Sequence, residues 1–120
     1  MKNFKNNFAI SGFVATDAKT NQFQNATVAR CAISVSRQEK VGEETQRKSA
    51  LLNIEAWRKN SNTKELDLLK KGTLVTVEGY LRPEEWEETN TETGEVVKHN
   101  RIVFAATKIY ETEEVDDKKD

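Results

Sequence analysis

Two tryptophans and one tyrosine, Trp57, Trp86 and Tyr80, stand where the surrounding residues are polar rather than apolar. Spread around them are Arg30, Arg37, Lys48, Arg58, Lys59 and Arg82. An exposed ring offers a π-face on which any nucleobase stacks, contributing about 1–3 kcal/mol per base. A cation beside it neutralises phosphate, so affinity falls with salt. Together these groups suit the binding of a single nucleic-acid strand without reading its sequence. Each also has a plainer use. Trp57 would equally close a barrel end or pack under Gln38–Arg47. Trp86, among Glu84, Glu85, Glu87 and Glu88, would equally be a cross-strand partner in a two-stranded arm. Tyr80 would stack on a base or pack beneath a helix. For any one lysine a solvated position is the simpler account. Arg30 and Arg37 are weighted above the loop lysines, as residues opposite the face of Cys31, Ile33 and Val35.

Other chemistry fails on inventory. The chain has one histidine, His99, and one cysteine, Cys31, far apart in sequence, so no metal quartet assembles. The glutamate pairs 84/85 and 87/88 sit in an acidic run and do not make an acid–base pair. Gly12 and Gly79 read as bends, not phosphate cradles, because no helix N-terminus follows them closely. The expectation is a binding protein, not an enzyme, with no metal, cofactor or small-molecule substrate. Cys31 is most simply a core residue. A lone cysteine forms no internal disulfide, which fits a reducing compartment. No run of 18 apolar residues exists, so no membrane span is expected. The start, M-K-N-F-K-N-N-F, lacks an apolar signal core. Cytoplasmic location is the expectation, and the sequon Asn25-Ala26-Thr27 then carries no weight.

These groups need elements to hold them. Residues 62–86 give the clearest local pattern. Asn62 as N-cap and Glu65 three residues on make a capping box. The helix then covers about 63–71, with Lys70 and Lys71 at the negative end of its dipole. Gly72 stands where a left-handed stop is wanted. From Thr73 to Arg82, Val75, Val77, Gly79 and Leu81 alternate with Thr76, Glu78, Tyr80 and Arg82, the period of a half-buried strand. Three strands precede the helix: about 7–16, with Gly12 at a bulge or bend; 27–37; and 48–58. In the last, Leu52, Ile54 and Ala56 alternate with Leu51, Asn53, Glu55 and Trp57, which puts Trp57 outside. Residues 17–25 read as a polar turn region holding one aromatic, Phe23, and residues 38–47 as a charged loop. A hairpin arm over 83–98, turning near Thr93-Gly94, leads to a strand at about 100–110.

The order β-β-β-α-β-β predicts an all-β fold. A five-stranded barrel is preferred over a sandwich because of the single helix at that point. A chain of 120 residues makes one domain and buries about two-thirds of its surface. Residues 1–110 form that domain and 111–120 an acidic, disordered tail. Net charge is −1, but it is divided. Residues 1–83 hold 14 basic against 8 acidic side chains, residues 84–98 hold 1 against 6, and residues 111–120 hold 2 against 6. A basic body with an acidic arm and tail is an argument about partners.

Three segments together resemble the bacterial single-stranded DNA-binding protein family: G-F-V-A-T-D at 12–17, A-T-V-A-R at 26–30, and L-L-K-K-G-T-L-V-T-V-E-G-Y-L-R at 68–82. The resemblance covers about residues 7–110. It implies an OB-fold: a five-stranded barrel with one short helix between strands 3 and 4 and a long hairpin arm between strands 4 and 5. In such folds the face of strands 2–3 carries nucleic acid. It also implies nonspecific single-stranded DNA binding in replication, recombination or repair, a homotetramer or homodimer, and replication or repair proteins as partners. Of the family's four stacking aromatics, two carry over, Trp57 and Trp86. Glu39 or Lys40 and Leu51 occupy the other two positions. The family's basic L-R-T-R-K-W is here L-R-P-E-E-W, and E-T-E-E-V-D-D-K-K-D lacks the family's Pro-Phe tip. These departures lower the expected affinity and keep a second reading open. It is an OB-fold paralogue that serves as a protein-interaction module of a replication or primosome complex and binds DNA weakly.

Overall fold

Six strands and one short helix make up the computed structural model, which describes residues 4–113. The strands are β1 (Phe8–Val14), β2 (Lys19–Gln22), β3 (Ala26–Val41), β4 (Glu44–Lys59), β5 (Leu74–Thr89) and β6 (Val96–Glu111). Neighbours run β1-β5-β6-β4-β3, and β1 closes on β3 at Phe13↔Ser34 and Val14↔Ile33. The result is a closed five-stranded barrel, with β2 added along β3. Every pairing is antiparallel except β4 with β6, where Ile54, Glu55 and Ala56 meet Phe104, Ala105 and Ala106.

Alternation fills the barrel. Ala29, Cys31 and Ile33 of β3, Ile54 and Ala56 of β4, and Val75 and Val77 of β5 point inward. Gly12 and Gly79 mark places where strands pass too closely for any side chain. A Cβ at Gly12 would collide with the Ser34 carbonyl, and one at Gly79 with that of Ala105. The register slips at Glu78/Gly79, a bulge that bends β5 around the barrel. Among the described residues no helix is long and apolar enough to cross a membrane.

Three local expectations are corrected. The helix over 63–71 is only a 3₁₀ turn, Lys64–Leu68, with Thr63 rather than Asn62 as N-cap and no side-chain capping bond. Glu65 does not turn back to complete a capping box. Its carboxylate pairs with Arg58 at 2.8 Å. A 3.0-residue period also puts Leu66 and Leu69 on one side, and both are buried in the core cluster. Gly72 follows at φ 94°, its N–H bonded to the Val14 carbonyl.

The charged loop of 38–47 is instead a ladder. Pairing continues from Gln38↔Arg47 to Val41↔Glu44 around a two-residue turn, Gly42-Glu43, with Gly42 at φ 65°. Likewise, the polar turn region of 17–25 contains β2. Both were invisible to periodicity for one reason: their side chains face water on both sides, so no apolar alternation marks them. At the other hairpin, β5 and β6 pair from Val75↔Glu111 to Thr89↔Val96, and Gly94 turns at φ 74°. Beyond β6 the Thr112 N–H bonds the Leu74 carbonyl. Of the tail expected over 111–120, positions 114–120 lie outside the described residues.

Candidate nucleic-acid interface

Register lines up the outer face. Lys19 of β2 lies opposite Arg30 of β3, Arg30 opposite Glu55 of β4, Glu55 beside Ala105 of β6, and Ala105 opposite Tyr80 of β5. Period-2 alternation then puts Trp57 on this face, together with Arg82, Glu84 and Trp86 of β5 and Val103, Arg101 and His99 of β6. A cleft of about 560 Å³ opens there. Arg30, Ala32, Asn53 and Glu55 floor it, with Thr16, Asp17 and Lys19 on one side and Arg101, Ile102 and Val103 on the other.

Trp57 is 46% exposed. Phe23, from the connection between β2 and β3, stacks on it with ring centroids 5.7 Å apart and planes at 21°. The indole Nε1 donates to Glu55 Oε1 at 2.8 Å. That carboxylate also receives Arg82 Nη2 at 2.7 Å and, on Oε2, Arg30 Nε at 3.0 Å. Glu55 is only 5% exposed, although it sits on the outer face, because these three side chains cover it. Burial pushes its pKa up, but the bonds from Trp57, Arg30 and Arg82 and the charge of Arg30 outweigh burial. The carboxyl is held below the usual carboxylate value.

Trp86, 43% exposed, forms a second ring platform on the arm. Its cross-strand partner His99 stacks on it at 5.3 Å and 21°, and the Arg101 guanidinium lies 5.7 Å from the ring centre. His99 Nε2 meets Glu88 at 2.8 Å. Glu84 bridges Arg101 at 2.7 Å and Arg82 at 3.3 Å, so a chain of charges links the arm to the Glu55 cluster.

The face therefore brings together Trp57, Tyr80, Trp86, Arg30 and Arg82. Three of the other residues singled out by sequence lie elsewhere. Arg58 turns inward, its side chain 12% exposed. It donates to Glu65 and to the carbonyls of Trp57, Ala106 and Thr107, tying β4 to β6. Arg37 lies on the same side of β3 as Cys31, Ile33 and Val35 by alternation, not on the side of Arg30. Lys48 stands opposite it and pairs with Glu39 at 3.1 Å. The pair is about 30 Å along β4 from Trp57, nine residues at roughly 3.3 Å each. Leu51, in place of an aromatic, is exposed on the side of Trp57.

Sequence reading missed Glu55, Phe23, His99, Arg101 and Lys19 as members of this face. Alternation around Trp57 already put Glu55 outside, and Phe23 was the one aromatic of a polar segment. Cys31, by contrast, is buried, and burial pushes its thiol up to about 11, an unreactive core group.

Comparison with known proteins bears on this geometry. The model of the single-strand binding protein family matches residues 5–108. No curated protein matches the sequence significantly. Among solved structures, this chain is similar to the Plasmodium falciparum SSB complex with ssDNA. The TM-score is 0.65 at 18% identity, over 92% of this chain and 95% of that one. It is also similar to a small single-stranded DNA-binding protein from Streptomyces coelicolor, at TM-score 0.61, 20% identity, and 88% and 93% coverage. The dimeric N-terminal domain of PriB protein from Thermoanaerobacter tencongensis matches at 0.58 and 19%, over 91% and 98%. Likeness at such identities speaks for the shared barrel.

Proposed function

Because this chain belongs to the single-strand binding protein family over residues 5–108, we propose that it binds single-stranded DNA without regard to sequence. The observation that carries this reading is the continuous outer face from Trp57 to Trp86, with arginines between two half-exposed indoles. Phe23 covers one side of Trp57, so a base has the other side to stack on. His99 backs Trp86 in the same way. Tyr80 adds a third ring in the row of Glu55 and Ala105. Arg30, Arg82, Arg101 and Lys19 line the path for phosphates. Arg58 contributes indirectly, by holding the Trp57 carbonyl. Stacking accepts every base, and phosphate contacts read none, so the binding is sequence-neutral.

The role in the cell is replication, recombination or repair, in the cytoplasm, as a homotetramer or homodimer. Quenching of the tryptophan fluorescence on titration with oligo-dT at low salt tests the binding. Undiminished emission at saturating oligonucleotide would refute it.

A second reading is favoured by a specific observation: Glu55 and Glu84 between them pair with all three arginines of the face and offset two of their three charges. On that reading the protein is an interaction module of a replication or primosome complex with weak DNA binding. Capture of replication proteins by this chain, with no DNA complex at low salt, favours it. Tight binding to oligo-dT that is lost in Trp57→Ala excludes it.

A further inference from the structure

We infer that Glu55 is a positioning residue of the interface: its buried carboxylate holds Trp57, Arg30 and Arg82 in one arrangement. The inference rests on the DNA-binding reading above and adds to it a residue that touches no DNA. Three donors from three strands converge on two oxygens, at 2.8, 3.0 and 2.7 Å. Trp57 comes from β4 itself, Arg30 from β3 and Arg82 from β5, so the carboxylate spans the outer face of half the barrel. Long arginine side chains and an exposed indole would otherwise sample many rotamers, and ordering them on binding opposes affinity. Glu55 fixes them before a strand arrives. Each donor keeps groups free: Trp57 keeps one ring face, and the guanidinium N–H groups not bonded to glutamate remain for phosphate.

Electrostatics alone predicts the opposite sign, which makes the idea decidable. A carboxylate on a phosphate-binding face repels DNA, so removing its charge should tighten binding. Positioning predicts looser binding. In Glu55→Gln one oxygen becomes an NH₂ group, and at least one of the three donors then faces another donor. The expected result is about fivefold weaker binding to oligo-dT at fixed low salt, with a steeper salt dependence because one negative charge is gone. In a Trp86→Phe background, which leaves Trp57 as the sole tryptophan, acrylamide quenching of the free protein should rise in Glu55→Gln as the indole is released.

Equal or tighter oligo-dT binding by Glu55→Gln, or unchanged acrylamide quenching, would overturn the inference. Circular dichroism checks folding. Should Glu55→Gln not fold, Glu55→Asp takes its place, since it keeps the charge but cannot reach three donors at once. It should bind more weakly with an unchanged salt slope, and wild-type affinity would overturn the inference. If the wild type itself does not bind oligo-dT, the DNA reading fails, and the quenching measurement still decides whether Glu55 holds Trp57.

Discussion

The salt dependence of DNA binding follows from the ion pairs on the face and can be worked out before it is measured. Four cations line it: Lys19, Arg30, Arg82 and Arg101. Glu55 serves Arg30 and Arg82, and Glu84 serves Arg82 and Arg101, so these two carboxylates leave two of the four positive charges unopposed by an ion pair. For single strands the slope of log K against log salt is about −0.7 per phosphate neutralised, so a net two gives about −1.4. Four unopposed cations would give about −2.8. Between about 50 and about 200 mM salt the first slope weakens binding about sevenfold and the second about fiftyfold. The perturbation is a salt titration of wild type, Arg82→Met and the double variant Arg37→Ser/Lys48→Ser. The assay is fluorescence anisotropy of a labelled oligo-dT. The expected outcome is a slope near −1.4 for wild type, shallower for Arg82→Met, and unchanged for the double variant. A wild-type slope near −2.8 would refute the screening of these cations by Glu55 and Glu84. A shallower slope in the double variant would refute the assignment of phosphate contacts to this face and move them to the β3–β4 hairpin.

Trp57→Ala removes one stacking platform and should weaken oligo-dT binding by about 1–3 kcal/mol, roughly 5- to 150-fold, by anisotropy. Its melting temperature should move much less, because the indole is half exposed. Arg58→Met should do the reverse. It strips donors from the carbonyls of Ala106 and Thr107 and a partner from Glu65, lowering stability by about 1–3 kcal/mol in a denaturant melt, with the salt slope of binding intact. Glu55 gives a pH signature. Its folded carboxyl titrates below the ordinary value, so its stabilisation is complete above about pH 4.5 and is lost as pH falls through the lower folded value. An acid melt of Glu55→Gln should therefore lack part of the wild-type loss of stability in that range, and parallel curves would contradict the pairing.

What could be read in the sequence was whatever faced an apolar core. Val75, Val77, Ile54 and Ala56 alternate because one side of each strand is sealed, so the barrel strands were visible by period. The stretch 38–47 and β2 have both sides in water, and only backbone pairing holds them. Period carries no trace of that. The helix failed differently: Asn62 and Glu65 satisfy a local rule, but Arg58 lies within reach in the folded barrel, and a charged pair takes Glu65 instead. The site divides in the same way. Trp57 and Trp86 were conspicuous because an indole on a polar face is unusual. Glu55 looked like an ordinary surface acid, and only the register that brings Arg30 and Arg82 to it makes it a hub.

The acidic arm is the strongest argument in the sequence against DNA binding, and alternation along β5 weakens it. Glu84, Trp86 and Glu88 share one side of the strand, while Glu85 and Glu87 share the other. On the side of Trp86 both acids are paired, Glu84 with Arg82 and Arg101, and Glu88 with His99. Glu85 and Glu87 carry no ion pair among the described residues, and they lie opposite Asn100 and Lys98 on the far side of the arm. On the proposed reading, a strand seated on Trp57 and Trp86 passes over carboxylates that already have side-chain partners, with the free ones turned away. The charge of the arm, counted from sequence, is a property of two surfaces, only one of which faces the cleft. The free glutamates then have a different consequence. On the proposed reading, they give the back of the arm a negative field, which slows the approach of DNA from that side and leaves the cleft side as the favoured approach.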